Sequence, residues 1–212
     1  MEERLTELTV RGLVERMATS DPVPGGGSAS ALAGAMGAAL VHMVVELTAG
    51  RPAAAAHEET LTEIRTAAVA WQSELLNLAE LDANAYAAVV RARRLPAKSE
   101  RERDARAVQL AAAIREATRV PLATARAASE VLELARRLAL IGNRNAVSDV
   151  GVAALLAVTA VRGATLNVQI NLPYVTTDEE LREEATDEIE HLLATLDERE
   201  RALRDAVAER LR

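Results

Sequence analysis

Apolar side chains recur along this chain at helical spacing, and proline and glycine divide the pattern into segments with no linker long enough to separate two domains. A first helix is expected from about Val10 to Ala18, with Leu13, Val14 and Met17 on one face, ending before Pro22. The second runs from Ser28 to about Thr48 and is apolar almost all round, as a helix at the centre of a bundle is, with Gly34 and Gly37 letting a neighbour come close. Its length also suits a bilayer. Alanine and glycine supply little transfer energy, however, and His42 and Glu46 fall inside the stretch, so a buried helix is expected and no membrane partner. A third helix, about Ala54 to Arg93, carries Leu61, Ile64, Ala68, Trp71, Leu75, Leu78 and Tyr86 in register, with a break expected near Leu81 to Asn84 and an end at Pro96. A fourth, about Glu100 to Thr118, sets Val108, Leu110, Ala111 and Ile114 against a charged face; Pro121 interrupts it, and helix resumes from Leu122 to Ile141, where Gly142 stops it. After the polar bend GNRNAVSDVG comes an apolar helix from Val150 to Val168. Thr176 or Thr177 is expected to cap the last helix, whose acidic start at Asp178 to Glu180 and basic end at Arg210 and Arg212 match the macrodipole. Ile189, Leu192, Leu196 and Leu203 give that helix a seam for the bundle or a second subunit.

Composition turns this pattern into a fold class. The 212 residues contain no phenylalanine, one tryptophan and two tyrosines, so the core is aliphatic. Small aliphatic side chains fill space best where helices approach closely, whereas sheets draw on aromatic and β-branched residues. The expectation is an all-α protein: one domain over residues 1–212, folded as an antiparallel bundle with a long C-terminal helix. A net charge of −7 argues against a nucleic-acid partner. Without cysteine there is neither a disulfide framework nor thiol chemistry. The charged N-terminus MEERLTELTVRGL lacks the apolar core of a signal peptide, which points to the cytoplasm. His42, His57 and His191 are scattered, so no metal site is expected.

The segment PVPGGGSAS carries the first candidate chemistry. Pro22 and Pro24 hold the chain extended, and Gly25, Gly26 and Gly27 open the backbone to a ligand. Ser28 is expected to cap the helix that follows, whose unpaired amides can receive an anionic or polar group. A tight turn with an N-cap and no ligand fits the same residues.

Three strings, PVPGGGSASALAGAMGAALVHMVVELTAGR, LDANAYAAVVRARRLP and GNRNAVSDVGVAALLAVTAVRGATLNVQINL, resemble the successive motifs of the cyclodeaminase/cyclohydrolase family over roughly Thr9 to Leu172. That family includes the C-terminal domain of formiminotransferase-cyclodeaminase and stand-alone bacterial methenyltetrahydrofolate cyclohydrolases. The resemblance implies an all-helical homodimer acting on a tetrahydrofolate derivative, with no cofactor beyond that one-carbon carrier. Both family reactions pass through a tetrahedral carbon between N5 and N10 of the folate and need proton transfer. A carboxylate can supply it, and Asp82 and Asp149 are the catalytic candidates. Burial beside apolar helices would raise either pKa. Asp82 also reads as a solvated residue at a helix break, and Asp149 as a capping contact at a helix start.

Substrate-binding candidates are Pro24, Gly25, Gly26, Gly27, Ser28 and Arg51, with Asn143, Asn145, Ser148, Asn167 and Asn171 as a second, neutral constellation. Those amides either satisfy one another and the backbone or read the edge of a pterin. Arg51 is a candidate for the glutamate carboxylates of a folate. A rival reading keeps the fold without the reaction, as a binding or scaffolding dimer. It rests on the altered segment GRPAAAAHEE and on the acidic, seam-bearing last helix.

Overall fold

The computed structural model describes residues 4–212. Six α-helices follow one another: α1 (Val10–Met17), α2 (Gly26–Glu46), α3 (Glu58–Arg93), α4 (Glu100–Ile141), α5 (Val147–Asn171) and α6 (Glu179–Arg210). Short 3-10 turns at Leu5–Glu7, Pro52–His57, Arg144–Ala146 and Leu172–Tyr174 lie before and between them, and no strand occurs among the described residues.

Helices α2 to α5 form an antiparallel four-helix arrangement, each packed on its neighbours, and α6 lies in the groove between α4 and α5. The directions follow from paired residues. Ser28, at the start of α2, bonds Asp82 of α3, and Glu46, at its end, bonds Arg65, so α2 and α3 run opposite ways. Ile189, Leu196 and Leu203 of α6 are all buried, so its seam is spent on the bundle rather than left for a second subunit. α1 contributes no buried residue, and Val10 and Val14 are exposed.

Alanine and glycine let α2 and α5 run close together. A Cβ on Gly163 of α5 would stand 2.3 Å from Ser30 Oγ of α2, and one on Gly37 would stand 3.0 Å from Ala153 O. α2 and the stretch Arg144–Tyr174 are each apolar and long enough to cross a bilayer, with 61% and 50% of their most apolar windows buried in the bundle.

Several boundaries differ from the sequence reading. α2 starts two residues before Ser28 with Gly25 as its N-cap, so Ser28 is a buried first-turn residue and not the cap. α3 passes through Leu81 to Asn84 without a break. The last helix is capped by Asp178, whose side chain accepts from Leu181 N, rather than by Thr176 or Thr177. Ser99 and Glu102 close a capping box where α4 begins.

The largest difference is at Pro121, which sits inside one continuous 42-residue α4. A proline there lacks the N–H that would bond the carbonyl of Ala117. Asn171 Nδ2 donates to that carbonyl instead, at 2.7 Å. The helix continues because a side chain 54 positions away takes the place of the missing donor.

Candidate active site

Glycine at the start of α2 is a requirement of packing. A Cβ on Gly27 would stand 2.1 Å from Asp82 Oδ1 and 2.5 Å from its Cγ, so any side chain there displaces the carboxylate. The fully buried Ser28 Oγ donates to Asp82 Oδ2 at 2.9 Å and lies 3.0 Å from Ala79 O. Burial pushes the Asp82 carboxyl above the ordinary aspartate value, against the opposing pull of hydrogen bonds from the Ser28 side chain and backbone. A basic carboxylate held by a serine against a glycine backbone is the arrangement expected of a proton acceptor.

Asp82 opens into a cleft of about 210 Å³ between the glycine loop, α3, α4 and the end of α5. Pro22, Gly25, Gly26, Gly27, Ala83, Tyr86, Ala117, Asn167, Ile170 and Asn171 complete its walls. Asn167 Nδ2 donates to Gly163 O one turn earlier at 2.8 Å, and Asn171 Nδ2 is committed to Ala117 O. Each of the two amides keeps an oxygen without a donor among the described residues. All three sequence motifs therefore send residues into one cleft.

The remaining candidates lie elsewhere. Pro24 is buried behind the loop, after a cis Val23–Pro24 bond. Asn143, Asn145, Arg51, Ser148 and Asp149 gather at the opposite end of the bundle. Asn143 N donates to Thr48 Oγ1 at 2.8 Å and its Nδ2 to Leu47 O at 3.2 Å, while its Oδ1 accepts from Asn145 N at 3.0 Å. These bonds fasten the start of α5 to the end of α2, about 30 Å along α2 from the glycine loop at 1.5 Å per residue. Asp149 lies about 27 Å along α5 from Asn167 on the same rise. It is half-buried in the first turn of α5 and does not join Asp82 within the chain.

Tyr86, Ala83, Ala117 and Ile170 were not among the sequence candidates. Tyr86 follows Asp82 by one helical turn, and Ile170 follows Asn167 by three residues, so helical spacing alone places both beside residues already chosen. Ala117 carried no signal, because it reaches the cleft only through the unbroken α4. No group of three His, Asp or Glu side chains suited to a metal ion occurs among the described residues.

The architecture is an all-helical bundle with a partly buried carboxylate facing a cleft. The family model for formiminotransferase-cyclodeaminase matches residues 9–191, and the chain belongs to that family. It is 40% identical over 186 residues to a methenyltetrahydrofolate cyclohydrolase of Methylorubrum extorquens, covering 88% of this chain and 89% of that one. The mouse formimidoyltransferase-cyclodeaminase is 37% identical over 84% of this chain, which spans 33% of that longer protein. The crystal structure of a formiminotetrahydrofolate cyclodeaminase from Thermotoga maritima superposes with a TM-score of 0.86 at 27% identity, covering 97% of this chain and 98% of that one.

Proposed function

We propose that this protein is a cytoplasmic, homodimeric folate one-carbon enzyme that hydrolyses 5,10-methenyltetrahydrofolate without a metal or redox cofactor. The observation that carries the reading is the position of Asp82, drawn into the motif-built cleft with a raised pKa and no room for a side chain at position 27. Similarity across nearly the full length of a stand-alone cyclohydrolase favours hydrolysis.

In hydrolysis, water adds to the cationic carbon between N5 and N10. Its oxygen forms the new bond while Asp82 takes the departing proton; the carbinol hydroxyl then gives up its own proton to become the formyl carbonyl on N10, the bond from that carbon to N5 opens, and N5 takes up the proton returned by Asp82. The carboxylate also opposes the charge of the cationic substrate. Well-placed general base catalysis contributes about 10²–10⁴-fold. The oxygens of Asn167 and Asn171 suit the donors on a pterin edge. A second reading, cyclodeamination, has N10 attack a formimino carbon and ammonia leave. It draws on the same proton-handling group and is favoured by the likeness to the Thermotoga protein.

The test is spectroscopic. Purified protein discharges the methenyl chromophore, and ammonia release from formiminotetrahydrofolate is measured beside it. Because Asp82 acts as a base, kcat/KM rises with pH through a pKa above the usual aspartate range. Folded protein inactive in both assays at high concentration refutes the reading.

A further inference from the structure

The walls of the Asp82 cleft carry no cation. Apart from Asp82 itself they are apolar side chains, glycine backbone, the amides of Asn167 and Asn171 and the phenol of Tyr86. At about 210 Å³ the cleft is below the roughly 300–1,000 Å³ of small-molecule sites, so it holds only part of a folate. The part that suits its carboxylate is the cationic one-carbon end. The other end of the substrate bears glutamate carboxylates, which Asp82 repels and which need a cation outside the cleft.

Both tyrosines of the chain mark a way out. Tyr86, 38% exposed, stands one turn beyond Asp82 on α3, and half-buried Val90 stands one turn beyond Tyr86. Eleven residues make three helical turns, so Arg93 returns to the Asp82 face about 16 Å further along. Its guanidinium lies over the ring of Tyr174, 5.9 Å from the centroid. Tyr174 follows Asn171 by three residues, in the turn that ends α5, so the pair joins two helices that both line the cleft. Stacking occupies one face of a guanidinium and leaves the N–H groups at its edge. Arg93 donates none of them and forms no ion pair among the described residues. Arg91, two residues earlier, lines a different groove with Leu95 and Glu116. Arg51, Arg144 and Arg210, at the arginine end of the bundle, are about 30 Å away along α2.

We infer that Arg93, stacked on Tyr174, is the subsite for the glutamate carboxylates of the substrate, with the aminobenzoyl ring lying along Tyr86 and Val90 and the one-carbon end at Asp82. This rests on the folate reading above. The chain then meets the substrate in the order of its charges: cation beside carboxylate, neutral ring against apolar and aromatic surface, anion on guanidinium. Arginine suits the last contact because its planar fork holds a carboxylate through two parallel N–H bonds. The contact is remote from the reacting carbon and equal in ground and transition states, so it governs KM rather than kcat.

The test compares 5,10-methenyltetrahydrofolate with its diamide, in which both glutamate carboxylates are neutral amides. Arg93 is exposed near the end of α3, so its replacement leaves the core intact. Arg93→Ala raises KM for the dicarboxylate by at least about tenfold at unchanged kcat, and leaves KM for the diamide within about twofold of wild type. Arg93→Lys, which keeps the charge without the fork, recovers part of the loss. Arg91→Ala leaves both substrates as in wild type. A loss equal for the two substrates makes Arg93 a structural residue, and an Arg93→Ala enzyme with wild-type KM sends the carboxylates elsewhere. Either result, or an equal loss in Arg91→Ala, overturns the subsite while the folate reading stands. Folded wild-type protein inactive on the dicarboxylate refutes the folate reading and the subsite with it.

Discussion

The two ends of the bundle use similar residue types for opposite purposes. At the glycine end, Asp82 is kept in an environment that opposes its charge, with one serine to hold it and no space at Gly27 to swing into. At the arginine end, Asn143 and Arg210 spend their hydrogen bonds on backbone carbonyls, while Thr48 and the Asn143 side chain receive backbone amides. An unfavourable environment for a titratable group is costly to maintain, and it persists where it shapes reactivity. Satisfied backbone groups cost nothing and hold helices together. Within one chain, then, the raised carboxyl stands at the first end and the fastening contacts at the second.

Substitution at Asp82 tests the contrast most severely. Asp82→Asn is expected to lower kcat by about 10²–10⁴-fold while circular dichroism stays helical. Because the folded-state pKa is raised, ionised Asp82 disfavours the folded state: its contribution to stability is fullest below the unfolded pKa and is lost as pH rises through the folded value. The asparagine variant therefore melts no lower than wild type at neutral pH, and higher if no other contact is lost. A variant both inactive and markedly less stable would turn the contrast around. Gly27→Ala should approach the same loss of kcat by displacing the carboxylate, an outcome readable from the pH profile losing its raised pKa.

A smaller effect joins the cleft to the bundle. Asn171→Ala leaves Ala117 O without a donor and is expected to cost about 1–3 kcal/mol in chemical denaturation. In a Pro121→Ala background, where the backbone N–H is restored, most of that cost disappears. An unchanged penalty would mean that Asn171 acts through something other than the proline. The smallest change is expected at the fastening end. Thr48→Val removes the acceptor for Asn143 N and should cost about 1 kcal/mol of stability, with turnover per folded molecule retained.

Most of the helical architecture was legible in the spacing of Leu, Val and Ala, because burial of an amphipathic stripe is a local periodic requirement. Asp82, the glycines, Asn167 and Asn171 were legible as a group through the three motif strings. Ser28 stands out in the sequence for a reason the fold replaces. A serine after glycines has the local signature of a cap, and only α3 packed beside it supplies Ala79 and Asp82 as partners. The expected break at Pro121 failed for a similar reason, since the rule against proline in a helix counts donors within that helix alone.

By itself, then, the order of residues determined an all-helical chain with an aliphatic core, since periodicity and composition act over a few turns, while its short set of candidate polar residues came from three strings that resemble a known family. Tertiary structure alone decided that α4 is continuous, that Asp82 is raised and confined by Gly27, and that Arg51, Asn143, Asn145, Ser148 and Asp149 stand a helix length away from it. Those outcomes depend on which distant atoms meet, and nothing in local spacing specifies that meeting.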